Sequence, residues 1–315
     1  MTEGRKELNY GGQAVMEGVM MRGSTSMAVA VRQPDGEIII HTEQLDPKIY
    51  TSLVSKIPFL RALTSLWDVL VLGIRTLMYS AEVALGPEED VEFSGPIAWG
   101  TVALSFALGI GLFFVGPLLL VGLVDRYIDS SLLSNVIEGM IRMMVFVAYV
   151  WLISFVPDIR RVFAYHGAEH KTINAYESGV ELTPEEVAKH STAHYRCGTA
   201  FLLSVMIISI LIFALLGRPP IYLRILSRIV LIPVVSGVAY EYIKFTNRHR
   251  DNPVIRALAA PNLALQSLTT REPDRPMLEV SIAALRSVLD SEGNASAVDS
   301  ASASSKVADS LLNVL

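Results

Sequence analysis

Cysteine is almost absent from this chain. Cys197 is the only one, which rules out an internal disulfide and a zinc site built from four thiolates. Charge is scarce too: Lys, Arg, Asp and Glu make up 18% of the 315 residues, against 51% hydrophobic types. That balance excludes a disordered chain. The net charge of −5 gives no electrostatic reason to expect DNA or RNA as a partner. Residues 1–13 are polar and acidic, with no apolar stretch behind a basic one, so no cleavable signal peptide is expected. The mean hydropathy is +0.44, with the charges gathered at segment ends, as in an integral membrane protein.

Four long apolar runs follow from the pattern: 97–124, 141–156, 200–216 and 229–243. The first has no ionisable residue and exceeds a hydrocarbon core of about 30 Å, so it must tilt or bend at Pro117. The expected fold is therefore a membrane α-helical bundle of about four transmembrane helices. Residues 59–85 are also apolar, but Arg61, Asp68, Arg75 and Glu82 recur every seven residues. They fall near one helical face, which predicts an amphipathic or membrane-associated helix over 58–86 rather than a fifth span.

Basic residues set the orientation. Arg160, Arg161, Lys171, Lys189 and Arg196 lie between the second and third runs, and Lys244, Arg248 and Arg250 follow the fourth. The opposite connections carry only Arg126, and Arg218 with Arg224. The bias predicts a multi-pass cell-membrane protein with both termini and the 158–199 loop in the cytoplasm.

Residues 1–57 read as a small extramembrane domain. Within it, 26–43 form a β-hairpin about the turn Gln33-Pro34-Asp35-Gly36. The preceding glycine-rich stretch, 11–23, is not a dinucleotide fingerprint and suggests tightly packed backbone near a site. The bundle spans 97–245, a C-terminal extramembrane segment covers 246–289, and the Ser/Ala-rich tail 290–315 reads as disordered.

The chemistry concentrates in the 158–199 loop. Four of the six histidines, His166, His170, His190 and His194, form two H-x-x-x-H pairs. On a helix each pair offers two imidazoles one turn apart on one face. Thr183 as N-cap, Pro184 at N1 and Glu186 three residues on predict a helix running to about Arg196. The first pair also matches the H-x-x-E-H order, which makes Glu169 a candidate general base. The four histidines are the expected ligands of a divalent metal. Zinc leads, and iron or manganese would suit added carboxylates. Glu177, Glu186 and Cys197 are further candidate ligands, and Asn174 a candidate support for them. Lys171 and Arg196 are candidate contacts for an anionic substrate or headgroup.

The stretches 11–23, 165–172 and 190–199, with 268–273, resemble the DUF1385 or YqhQ-like family of uncharacterised bacterial membrane proteins, whose members are sometimes labelled metal-dependent enzymes. The resemblance runs over about residues 8–290. It implies a membrane location and a suggested metal dependence, but no substrate. The expected function is a metal-dependent hydrolase acting on a lipid-linked or membrane-proximal substrate, with membrane lipids as partners and no nucleic acid. The alternatives are a metal-stabilised structural or regulatory scaffold, and a small-solute transporter component. Transport has little support from intramembrane charge beyond Arg142.

Overall fold

The computed structural model describes residues 10–46, 57–59, 61–62, 68–86, 96–217 and 219–293. The expected disordered tail falls almost wholly outside these residues.

The N-terminal region is a four-stranded antiparallel sheet in sequence order: β1 (Gly11–Val15), β2 (Gly18–Arg22), β3 (Ser26–Arg32) and β4 (Ile38–Gln44). The hairpin pairs Ser26 with Gln44 through to Arg32 with Ile38. Gly36 in its turn takes φ +92°, and Asp35 Oδ1 accepts from the Glu37 amide. The expectation of two strands is corrected to four, because the glycine-rich stretch forms β1 and β2. Gly18 is required by close pairing: a Cβ there would lie 2.3 Å from the Ala30 carbonyl oxygen.

Side chains alternate between two covered faces. Val19, Met21, Ala28 and Ala30 pack on the helices α5 (Pro157–Glu177) and α10 (Arg275–Ser291), while Val15, Met20, Val29 and Val31 pack on the opposite side. There they meet Leu72 and then Tyr79, Val83 and Ala84 of α1 (Gly73–Leu85). The alternation therefore buries both sides of β3 and leaves its sequence without a polar face. Arg75 and Glu82 point to solvent, and Arg75 pairs with Glu43 at 3.3 Å. In its described part α1 thus packs Tyr79, Val83 and Ala84 on the sheet and leaves Leu77 and Leu85 exposed.

Among the described residues, three helical stretches are long and apolar enough to cross a membrane: Trp99–Val124, Ser131–Ile153 and Leu226–Arg248. The first runs through α2 (Pro96–Ile110), a π-helical segment (Gly111–Val115) and α3 (Gly116–Val124). The second is α4 (Ser131–Ile153) and the third lies in α8 (Ile221–Arg248). The fourth expected span corresponds to α7 (Gly198–Ala214), apolar but only 17 residues long. Exposed leucines, Leu104, Leu108, Leu119 and Leu123, cover the outside of the first stretch, as a lipid-facing helix requires.

α7 runs antiparallel to α4 in a fixed register. The Asn135 amide donates to the Gly217 carbonyl at 2.8 Å, and a Cβ on Gly139 would fall 2.3 Å from Ile210. Small residues let membrane helices approach this closely.

Charge inside the bundle is consumed locally. Arg142 NH2 and Arg228 NH1 both donate to Glu138 Oε1, at 2.7 and 2.5 Å, and Arg228 NH2 reaches Oε2 at 2.8 Å. Arg142 Nε donates to the Phe113 carbonyl at 3.0 Å. Phe113 stands four residues before Pro117, which has no N–H to offer it. The proline frees an acceptor and an arginine from the next helix takes it, where a π-helical segment has loosened the ladder.

Candidate metal centre

The histidine-bearing loop is mostly helix. α5 leaves the end of α4 with Pro157 at N1, and its C-terminus closes at Gly179, φ +71°. His166 and His170 stand one turn apart on it, ring centroids 4.3 Å from each other. The next helix, α6, covers only Pro184–Ala188. Its N-cap is the expected one, Thr183 Oγ1 accepting from the Glu186 amide.

The expected continuation to Arg196 does not form, and α5 supplies the reason. Lys171 Nζ donates to the Ala188 and His190 carbonyls, both at 2.8 Å. Asn174 Nδ2 takes the Ser191 and Ala193 carbonyls, at 2.8 and 3.0 Å. His170 Nδ1 takes that of Thr192 at 2.6 Å. Carbonyls that a helix would turn toward its own later amides are held instead by side chains of the facing helix. His190 and His194 are consequently not stacked on one helical face.

Three ligand atoms do converge. The two imidazoles of α5 and the thiol of Cys197, the N-cap residue of α7, each place an atom within 4.8 Å of the others. His166 Nε2 lies 3.2 Å from Cys197 Sγ. The tautomers follow from the backbone. His166 Nδ1 faces the Thr269 carbonyl at 2.9 Å and His170 Nδ1 that of Thr192, and a carbonyl only accepts. Each Nδ1 therefore carries hydrogen, and a neutral ring then has its lone pair on Nε2, the arrangement of a metal-ligating histidine with an outer carbonyl partner.

Among the described residues His170 Nε2 has no hydrogen-bond partner, in a side chain only 1% exposed. An orphaned acceptor costs about 1–3 kcal/mol unless something occupies it. Two imidazoles and a thiolate are a fitting donor set for a transition metal. Burial alone would raise the Cys197 thiol, but His166 and His170 overcome it and hold the group well below its ordinary value. Burial would likewise lower His166, and the thiolate raises it to about 9.

The other candidates surround this group. Glu169 is buried, with Oε2 at 3.9 Å from His166 Nε2. It lies under β1, where a Cβ on Gly12 would come within 2.9 Å of its Cγ. His194 stacks near His170, ring centroids 5.6 Å apart, but its Nε2 turns to Glu177 Oε1 at 3.9 Å. Gln266 of α9 (Pro253–Thr269) clamps the His194 backbone, accepting from its N–H at 2.8 Å and donating to its carbonyl at 2.9 Å. Burial opposes ionisation of Glu177, yet His194 and Arg196 bring its carboxyl down to about 2.

His190 is half-buried and turns Nδ1 to its own Glu186 carbonyl, while the Glu186 carboxylate pairs with Lys189 at the surface. Lys171 ends on Glu272 at 2.6 Å, and Arg196 on Glu177 and the Tyr10 carbonyl. Four imidazoles on one ion is therefore not the arrangement found: a thiol stands in the group and two of the histidines do not. The Thr192 and Thr269 carbonyls escaped the sequence reading because backbone acceptors leave no mark in a sequence, and Gln266 because it lies 72 residues from the His194 backbone it holds.

Relatives of the chain are known. "Uncharacterized protein YqhQ" from Bacillus subtilis (strain 168) is 36% identical over 294 residues, covering 89% of this chain and 92% of the relative. No solved structure matches. The profile of the family described as "Protein of unknown function (DUF1385)" matches residues 57–291, a stretch that contains His166, His170 and Cys197, and the chain belongs to that family.

Proposed function

We propose that this is a membrane-embedded metalloprotein in which His166, His170 and Cys197 hold one divalent ion, and that it hydrolyses a lipid-linked or membrane-proximal substrate. The observation that carries the proposal is the buried Nε2 of His170, without a hydrogen-bond partner among the described residues, beside a second Nε2 and a thiolate. The thiolate favours zinc over manganese. Three protein ligands leave a coordination position open, as catalytic zinc sites do. The ion would supply Lewis-acid polarisation of a carbonyl or phosphoryl oxygen.

The remaining work falls to this chain's own groups. Glu169 is a carboxylate within one side chain of His166 and is suited to take a proton from an attacking water. Thr269 and Thr192 fix the two ring orientations, and the Glu177–Arg196 pair borders the group through His194.

The chain sits in the cell membrane with this group and both termini on the cytoplasmic side, which needs α7 to cross as a fourth span. The basic bias about 158–199 supports that placement. So does the register of α7, whose far end meets the beginning of α4 at Asn135. At about 1.5 Å per residue α7 is slightly short of the core and would thin the bilayer locally.

A scaffold is the second reading, favoured by the burial of His170 and Cys197 and by the attachment of the group to separate segments at Thr192 and Thr269. The test is elemental mass spectrometry on the full chain, purified without chelator or histidine tag. About one equivalent of zinc is expected, lost in Cys197→Ala and kept in His190→Ala. A folded wild type that stays empty after zinc addition overturns the metal site. Hydrolysis is tested separately by Glu169→Gln, which keeps the metal and stops release of soluble product from vesicles of bacterial lipid. Wild-type protein that holds zinc and releases nothing, but unfolds when zinc is stripped, establishes the scaffold instead.

A further inference from the structure

Where α4 ends and α5 begins, an open cleft of about 560 Å³ faces outward. Phe155 and Met277 contribute apolar surface, and Arg160, Arg161 and Arg271 bring three guanidiniums to the same opening. Not all of that charge is neutralised. Arg161 is spent on Glu17, donating from Nε and NH2 at 2.6 and 2.5 Å. Glu272, also in the lining, is held by Lys171. Arg271 gives its NH1 to the carbonyls of Ser267, Leu268 and Thr270, which cap α9 but leave the positive charge in place. The Arg160 side chain is exposed and has no partner among the described residues. Among the described residues, Arg160 and Arg271 therefore remain without a carboxylate partner.

The cleft also has a defined depth. It opens two residues beyond Ile153, the last residue of a membrane-length helix. Phe155 is 66% exposed and meets Trp151, itself 52% exposed, edge-on, ring centroids 5.0 Å apart. Paired outward aromatics at a span's end mark the headgroup level of a bilayer. Guanidiniums beside an apolar wall at that depth match a phosphate on one side and acyl chain on the other.

We propose that this cleft seats the headgroup of an anionic phospholipid from the surrounding bilayer, its phosphate on Arg160 and Arg271 and its glycerol and upper acyl carbons on Phe155 and Met277. The seat does not depend on the metal centre, and its test does not involve metal.

Trp151 is the reporter. With Trp67→Phe and Trp99→Phe as background, the full chain is reconstituted in vesicles doped with brominated phosphatidylglycerol or brominated phosphatidylcholine, and Trp151 quenching is followed. The anionic lipid should reach half-maximal quenching at a mole fraction lower by about fivefold, the ratio corresponding to one basic contact at a membrane surface. Arg160→Gln, which removes no internal bond, should erase most of that preference, and Arg160→Gln with Arg271→Gln all of it. Equal quenching by the two lipids overturns the seat. A preference that survives the double substitution overturns it too, assigning the effect to the general lipid annulus. If millimolar inorganic phosphate abolishes the preference and an equal ionic strength of chloride does not, the site belongs to a free phosphate and the lipid assignment falls.

Discussion

At the scale of single residues, the candidate metal group depends on one hydrogen atom. Gly167 lies on α5 between His166 and His170, and a Cβ there would sit 2.0 Å from the Arg271 carbonyl oxygen. In an open helical position, glycine to alanine stabilises by about 1 kcal/mol. Here the sign should reverse. The added methyl would push the 269–273 segment off α5, breaking the Arg271 amide bond to the Phe163 carbonyl and drawing the Thr269 carbonyl away from His166 Nδ1. Gly167→Ala is expected to cost roughly 1–3 kcal/mol and to weaken zinc binding by about 10–100-fold through the lost outer partner. Thermal unfolding and a competitive zinc titration check the two numbers. Gly109→Ala, where a Cβ meets nothing within 4 Å, is the control. A stabilised Gly167→Ala would show that the segment yields freely and is not what orients His166.

At the scale of elements, the contact between sheet and C-terminal helix turns on a carboxylate. Glu292, just past α10, accepts from the amides of Thr25 and Ser26, the Thr25 hydroxyl and the Tyr10 hydroxyl. Burial opposes its ionisation, but these donors hold its carboxyl below the ordinary value. A depressed carboxyl lends stability that is complete above its unfolded value of 4.5 and disappears as pH falls through the folded value. Glu292→Gln should therefore unfold at lower temperature than wild type at pH 7, with the gap closing as the medium is acidified below about pH 4. A gap that is constant with pH would mean that shape rather than charge carries the contact.

The elements also show what a sequence exposes. The hairpin and the N-cap at Thr183 were legible because turn residues and caps are local. The loop after Ala188 was not. Its residues have helical spacing, yet Lys171, His170 and Asn174 compete for its carbonyls from a helix distant in sequence. β1 and β2 were hidden for a related reason: their glycines serve contacts with Ala30 and Glu169 that only the folded chain brings near.

For the whole molecule, the question is how a bundle with so little charge tolerates Glu138, Arg142 and Arg228 in its apolar interior. Arg142 alone was visible in the sequence as an oddity inside a span. The structure ties it through Glu138 to Arg228 and through the Phe113 carbonyl to the first span, so one carboxylate joins three membrane stretches. These cations are committed to internal partners, which weighs toward a polar staple and against a charged solute path. Removing one member of a buried ion cluster is worse than removing all of it, because the survivors keep their desolvation cost without a counter-charge. Glu138→Gln should thus destabilise the detergent-solubilised chain by about 3–5 kcal/mol and lower its abundance in the membrane. Glu138→Leu combined with Arg142→Met and Arg228→Met should recover most of that loss. Zinc content should be unchanged in the recovered protein, since none of His166, His170 and Cys197 lies in these helices. A Glu138→Gln chain as stable as wild type would show that water reaches the cluster, and the transporter alternative would then take precedence over the staple.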